Sequence, residues 1–181
     1  MLNRKKNIFI TGKRRVGKST IIDKVINKIE LEISGFKTKP FFNSLGEVVA
    51  FTINSASNVD CKEEPQFIAK KIDKRKWMAQ LQTFETYGVE LLRKSLYDES
   101  KVIVMDEIGF FEASACNFQK MINECLSSEK VVFGVIKPIP LPFIKKIKNR
   151  EDVVIYEITK DNREEEFEKI LKDLREVLTS V

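Results

Sequence analysis

The run Gly12-Lys13-Arg14-Arg15-Val16-Gly17-Lys18-Ser19 constrains this chain more than anything else in its 181 residues. It follows a short, largely apolar strand pattern at 7–11. It precedes residues 19–31, where Ile22, Val25, Ile26 and Ile29 fall on one helical face. Two glycines around four residues, then lysine and a hydroxyl, let consecutive backbone N–H groups point into one concavity. A helix starting there adds the positive end of its dipole. This strand–loop–helix unit fits a polyphosphate. Lys18 is expected to reach the β- and γ-phosphates and the Ser19 hydroxyl to supply one Mg²⁺ ligand, while Thr20 contacts the α-phosphate or starts the helix. Gly12, Lys13, Arg14, Arg15, Val16, Gly17, Lys18, Ser19 and Thr20 are thus the expected nucleotide-binding residues. The bland alternative is a plain glycine turn whose Lys13, Arg14 and Arg15 are exposed charges.

A second motif suits the same ligand. Val102-Ile103-Val104-Met105 is a strand-sized apolar run that ends in Asp106-Glu107. An aspartate at such a strand end anchors Mg²⁺, usually through water, and a glutamate after it lies where it can polarise an attacking water. Asp106 is therefore the expected metal partner beside Ser19, and Glu107 the expected catalytic base beside Lys18. An exposed strand-end turn is the alternative. A glutamate base points to water as the nucleophile, hence to Mg²⁺-dependent hydrolysis of ATP or another nucleoside triphosphate. A kinase acting on a nucleotide or small molecule needs a second pocket, and the 141–150 segment reads better as an ordinary helix than as its lid.

Composition narrows the chemistry. Histidine is absent, which rules out a Ser-His-Asp triad, an imidazole base and a histidine-ligated zinc. The net charge of +5 is local: residues 1–18, beginning with Arg4, hold seven Lys/Arg and no acid, leaving 25 bases against 27 acids elsewhere. A second basic cluster (Lys137, Lys145, Lys146, Lys148, Arg150) is answered by an acidic C-terminal segment. That distribution suits a phosphate-sized target better than a nucleic acid. Cys61, Cys116 and Cys125 show no metal-ligand spacing, and the latter two are expected as buried thiols on a helix. No apolar run approaches a membrane span, and the one at residues 8–10 is too short for a signal peptide, so a cytoplasmic protein is expected.

Patterning predicts strands at 7–11, 35–43, 48–54, 102–105, 131–136 and 153–158, with Asn43-Ser44-Leu45-Gly46 turning a hairpin. Helices are predicted at 19–31, 83–97, 113–127, 141–148 and 162–179, the last N-capped by Asp161, with a short helical pattern near 67–72. Buried strands alternating with amphipathic helices imply a three-layer α/β/α domain over 1–181 with a mostly parallel sheet. Trp77, Phe41, Phe42 and Phe51 read as core or cover, or as rings for a base.

With both motifs in place, the chain resembles the nucleoside-triphosphatase family of P-loop proteins first described from thermophilic microbes, which also has animal members. The likeness includes Gly12–Thr20, Gly35-Phe36-Lys37-Thr38, Tyr87-Gly88-Val89, Asp106-Glu107-Ile108-Gly109 with Glu112, and residues 152–159 followed by Asn162-Arg163. It implies a RecA-like P-loop fold and slow, base-tolerant hydrolysis of NTPs to NDP and phosphate with Mg²⁺. Members are also described as nucleotide kinases. The resemblance makes Asn162 and Arg163 candidates for approaching the base, with helix capping and a solvated charge as alternatives. Lys37 and Thr38 become substrate-side candidates, and Glu112 either lies behind the metal or serves the helix dipole. Three positions depart from the pattern: Phe110 replaces a lysine, Thr86 an arginine, and Lys137-Pro138 a His-Arg pair. Each change removes or alters a cation, which also leaves open a nucleotide-binding switch with little turnover.

Overall fold

A computed structural model describes residues 5–57 and 64–180; Arg4 and Cys61 fall outside them. In chain order the elements are β1 (Asn7–Thr11), α1 (Lys18–Ile29), β2 (Ile33–Phe42), β3 (Val48–Ser55), β4 (Phe67–Lys71) and β5 (Trp77–Ala79). Then come α2 (Leu81–Thr83), a π-helical turn (Phe84–Gly88), α3 (Val89–Tyr97), β6 (Val102–Ile108) and α4 (Cys116–Ser127). The chain ends with β7 (Val131–Ile136), α5 (Pro142–Lys148), β8 (Val153–Glu157) and α6 (Arg163–Leu178). All eight strands join one sheet in the order β5-β4-β3-β2-β6-β7-β1-β8. The β2-β6-β7-β1-β8 part is parallel, and β3, β4 and β5 extend it as antiparallel hairpins.

Strand alternation builds two cores. Ile8, Ile10, Val102, Val104 and Phe133 face α1 and α6, and meet Ile22, Val25, Ile170 and Leu174. Phe9, Ile103, Met105 and Val132 face the other way, against Leu92 of α3, Phe118 and Ile122 of α4, and Ile144 and Ile147 of α5. Strands buried on both faces are the reason β6 and β7 are continuous Val/Ile runs. This is the RecA-like, three-layer P-loop architecture that the resemblance implies. No helix among the described residues is long and apolar enough to cross a membrane.

Several local expectations change. The segment near 67–72 is not helical: β4 pairs with β3 and β5, and buries Ile68 and Ala69. Its partner strand is set by Asp73, whose carboxylate accepts the N–H groups of Arg75 and Lys76 and turns the chain back. A short apolar run alone leaves helix and strand undecided. Helix α6 begins at Arg163 with Asn162, not Asp161, at its N-cap, and no side chain caps it. Cys125 is buried, and burial pushes its thiol up to about 12, but Cys116 is exposed at the start of α4. Phe41 and Phe42, at the outer end of β2, are 39% and 53% exposed, so they cover rather than fill the core.

Candidate active site

The C-terminal ends of β1, β7 and β6 lie side by side, and the chain leaves each of them towards the same place. At the end of β1 the Thr11 hydroxyl donates to the Ile136 carbonyl (2.9 Å), and the Thr11 carbonyl accepts the Ile158 N–H (2.8 Å). The loop is thereby fixed between β7 and the segment after β8. Gly12 takes φ 142°, and a Cβ there would stand 2.3 Å from the Ile158 oxygen, so only glycine fits. Gly17 takes φ 97° and forms the N-cap of α1 with the Arg163 side chain packed over it. Helix α1 has no side-chain cap and no acid in its first turn, which leaves its first N–H groups to an anion. Lys18 is nearly buried, and its Nζ donates to the Gly12 and Lys13 carbonyls (3.0 and 2.9 Å). The ammonium thus spans the mouth of the loop, and burial lowers its pKa against the pull of Asp106.

Strand β6 runs past the expected end at Met105 to Ile108, so Asp106 and Glu107 are strand residues with fixed directions. Asp106 is 6% exposed, and burial raises its carboxyl to about 6, with Lys37, Lys18 and Lys137 opposing and Asp23 reinforcing. Glu107 is more open; it pairs with Lys137 Nζ at 2.7 Å, while its N–H donates to the Thr38 hydroxyl at 3.4 Å. Lys37 pairs with Asp23 of α1 at 2.7 Å and sits in register with Asp106. One cleft of about 610 Å³ joins these parts: Gly12, Arg14, Arg15 and the 17–20 turn on one side, Glu107 and Lys137 on the other.

Could these residues hold Mg²⁺? The Ser19 hydroxyl and the Asp106 carboxylate are hard oxygen donors, the kind Mg²⁺ prefers. Among the described residues no cluster of three His, Cys, Asp or Glu exists, so phosphate and water would complete the shell, which is how Mg²⁺ is commonly held beside phosphates. A carboxyl whose ionisation is opposed by burial gains from a nearby cation. The donor set fits.

The profile of the NTPase family matches residues 7–171. This chain belongs to that NTPase family. It is similar to nucleoside-triphosphatase THEP1 of Thermotoga sp. (strain RQ2), 32% identical over 168 residues, covering 93% of this chain and 95% of that protein. The human cancer-related nucleoside-triphosphatase is 28% identical, with 87% and 90% covered. Among solved structures, THEP1 from the hyperthermophile Aquifex aeolicus superposes with a TM-score of 0.72 at 26% identity, covering 93% of this chain and 98% of that one.

Within this NTPase-family site the sequence motifs do not account for every residue. Lys137 stands where the family pattern has a His-Arg pair, yet it puts a cation on Glu107 and over the Phe111 ring, 5.4 Å from the centroid. Gly109 makes room, since a Cβ there would be 2.5 Å from Lys137 Cδ. Phe51, Trp77, Phe111, Pro138 and Ile139 complete the cleft wall. Phe51 and Trp77 are among the rings the sequence offers for a base, and Lys137-Pro138 is marked by its departure from the family pattern; Phe111 and Ile139 carry no such signal. Phe110 is 62% exposed, and Thr86, in the π-helical turn, donates back to the Gln82 carbonyl of α2; neither lines the cleft. Glu112 is buried and accepts the Gly109 N–H; burial raises its carboxyl to about 7. It supports the turn after β6 from behind. Asn162 stands outside the cleft wall, its amide closing the 157–162 turn through the Thr159 N–H and the Glu157 carbonyl. Arg163 lies on the loop's outer flank, at Gly17.

Proposed function

We propose that the protein hydrolyses nucleoside triphosphates to diphosphate and phosphate in the cleft between the 12–20 loop and β6. The observation that carries this reading is that Lys18 and Glu107 line one cleft, with Asp106 close enough to Lys18 for their charges to interact. Backbone N–H groups at the start of α1 hold the β- and γ-phosphates, and Lys18 turns from its two carbonyls to the bridging and terminal oxygens. Ser19 and Asp106 would hold Mg²⁺, which when bound neutralises charge on the β- and γ-phosphates. Glu107 accepts the proton of a water attacking the γ-phosphorus in line, and Lys137, 2.7 Å away, holds that carboxylate in place. Arg163, whose side chain packs over Gly17 on the loop's flank, is the candidate for contacting the nucleoside. The relatives described above carry hydrolase names, and the cation that Lys137 supplies weighs against an inert switch.

Phosphate release from ATP, GTP, CTP and UTP, with Mg²⁺ and with chelator, tests the reading. Glu107→Gln is expected to slow release by roughly 10²–10⁴-fold while the nucleotide still binds. Lys18→Ala is expected to lose both. Release surviving both substitutions would place the chemistry elsewhere.

A further inference from the structure

Past the acid pair the cleft is walled by rings. Phe51 from β3, Trp77 from β5 and Phe111 from the turn after β6 form a triangle with centroid separations of 5.0, 5.7 and 6.2 Å. All three are partly buried and line the same cleft as Lys18 and Glu107. The sheet order decides which end of a triphosphate they face. Strand β6, with its two acids, lies between the loop-bearing β7-β1 side and the β2-β3-β4-β5 side that carries Phe51 and Trp77. The loop's other flank abuts Ile158 and Arg163. A triphosphate with its terminal phosphorus at Glu107 therefore sends its nucleoside towards Thr20 and the β8–α6 flank, away from the rings. In-line attack brings the nucleophile from the side opposite the leaving phosphate, which is the ringed side. Water alone needs about 30 Å³ and no aromatic wall. Arg14 and Lys137 line the same cleft from its two sides, close enough for their charges to interact.

We propose that the ringed end of the cleft is a second ligand site, for a planar aromatic ring that carries an anionic group, with the ring against Phe51, Trp77 and Phe111 and the anion towards Arg14 and Lys137. The site rests on the hydrolase reading for its orientation, and it adds to that reading a second molecule beside the attacking water. Base-like rings stack on aromatic side chains with little regard to base identity, so a nucleoside monophosphate is the natural probe.

Trp77 is the only tryptophan and stands in the wall, so its fluorescence reports directly. The protein is first saturated with Mg²⁺ and a non-hydrolysable triphosphate analogue, then titrated with AMP or UMP, and separately with ribose 5-phosphate. Saturable quenching by the monophosphates but not by ribose 5-phosphate is expected. Phe111→Leu, which keeps the apolar packing but removes the ring face, should weaken that binding by roughly tenfold or more, and Phe111→Tyr should restore it. In the turnover assay the monophosphates should inhibit non-competitively with respect to NTP. If the analogue alone quenches Trp77 and the monophosphates add nothing, the rings hold the substrate's own base and the proposal is wrong. Absence of quenching, or strictly competitive inhibition, equally overturns it. The titration needs no turnover, so it separates this proposal from the hydrolase reading, which phosphate release decides.

Discussion

Glu107 and Lys137 are joined at 2.7 Å in a part-exposed pair, an arrangement that contributes little to stability on a surface but much to a reaction. A cation beside charge that develops in a phosphoryl transition state is worth 10³-fold or more in the strongest cases. Lys137→Met is expected to lower kcat by about 10²–10³-fold with KM changed only a few-fold, and Lys137→Arg to recover most of the rate. Steady-state kinetics on the three proteins check this; a loss confined to KM would make Lys137 a binding residue. Glu112 acts differently. Its folded carboxyl titrates at about 7 against an ordinary 4.5, so the fold holds the proton more tightly than the unfolded chain does. Its stabilising share is complete below about pH 4.5 and disappears as pH rises through 7, a loss of about 3 kcal/mol. Urea denaturation at pH 5 and pH 8 should show that decline in the wild type and a flatter profile in Glu112→Gln.

At the scale of elements, legibility followed burial. Strand β7 matches its predicted bounds, and β1 does too, because strands packed on both faces must be continuous apolar runs. Strands β4 and β5 lie at the sheet's edge, are short, and depend on the Asp73 turn, so their period is too weak to recognise. The π-helical turn at Phe84–Gly88 has no sequence period of its own; the pattern shows only one helix across 83–97. Gly88 has a packing reason to be glycine. A Cβ there would lie 2.8 Å from the ring of Phe118, which is fully buried in α4. Gly88→Ala is expected to cost about 1–3 kcal/mol in a denaturant titration, with turnover per folded molecule unchanged, since Gly88 lies outside the cleft.

Over the whole molecule, the site is where three parallel strands end together: β1 carries the loop, β6 the acids, and β7, between them, Lys137. The loop and the acid pair were legible because each is a contiguous motif. The ringed wall was legible only in part: Phe51 and Trp77 are among the rings the sequence offers for a base, but Phe111 and Ile139 come from separate segments that only the fold brings to the same cleft. Of the seven Lys/Arg in residues 1–18, Arg14, Arg15 and Lys18 border the cleft, while Lys6 stands at the other end of β1, donating to the Ser128 and Lys130 carbonyls. The central claim is that Glu107 directs water onto the γ-phosphorus in this cleft. Turnover in H₂¹⁸O under single-turnover conditions measures it directly. One ¹⁸O atom in the released phosphate and none in the diphosphate is the predicted outcome, with labelled phosphate formed roughly 10²–10⁴-fold more slowly in Glu107→Gln. Label in the diphosphate, or undiminished labelled phosphate from Glu107→Gln, would contradict it.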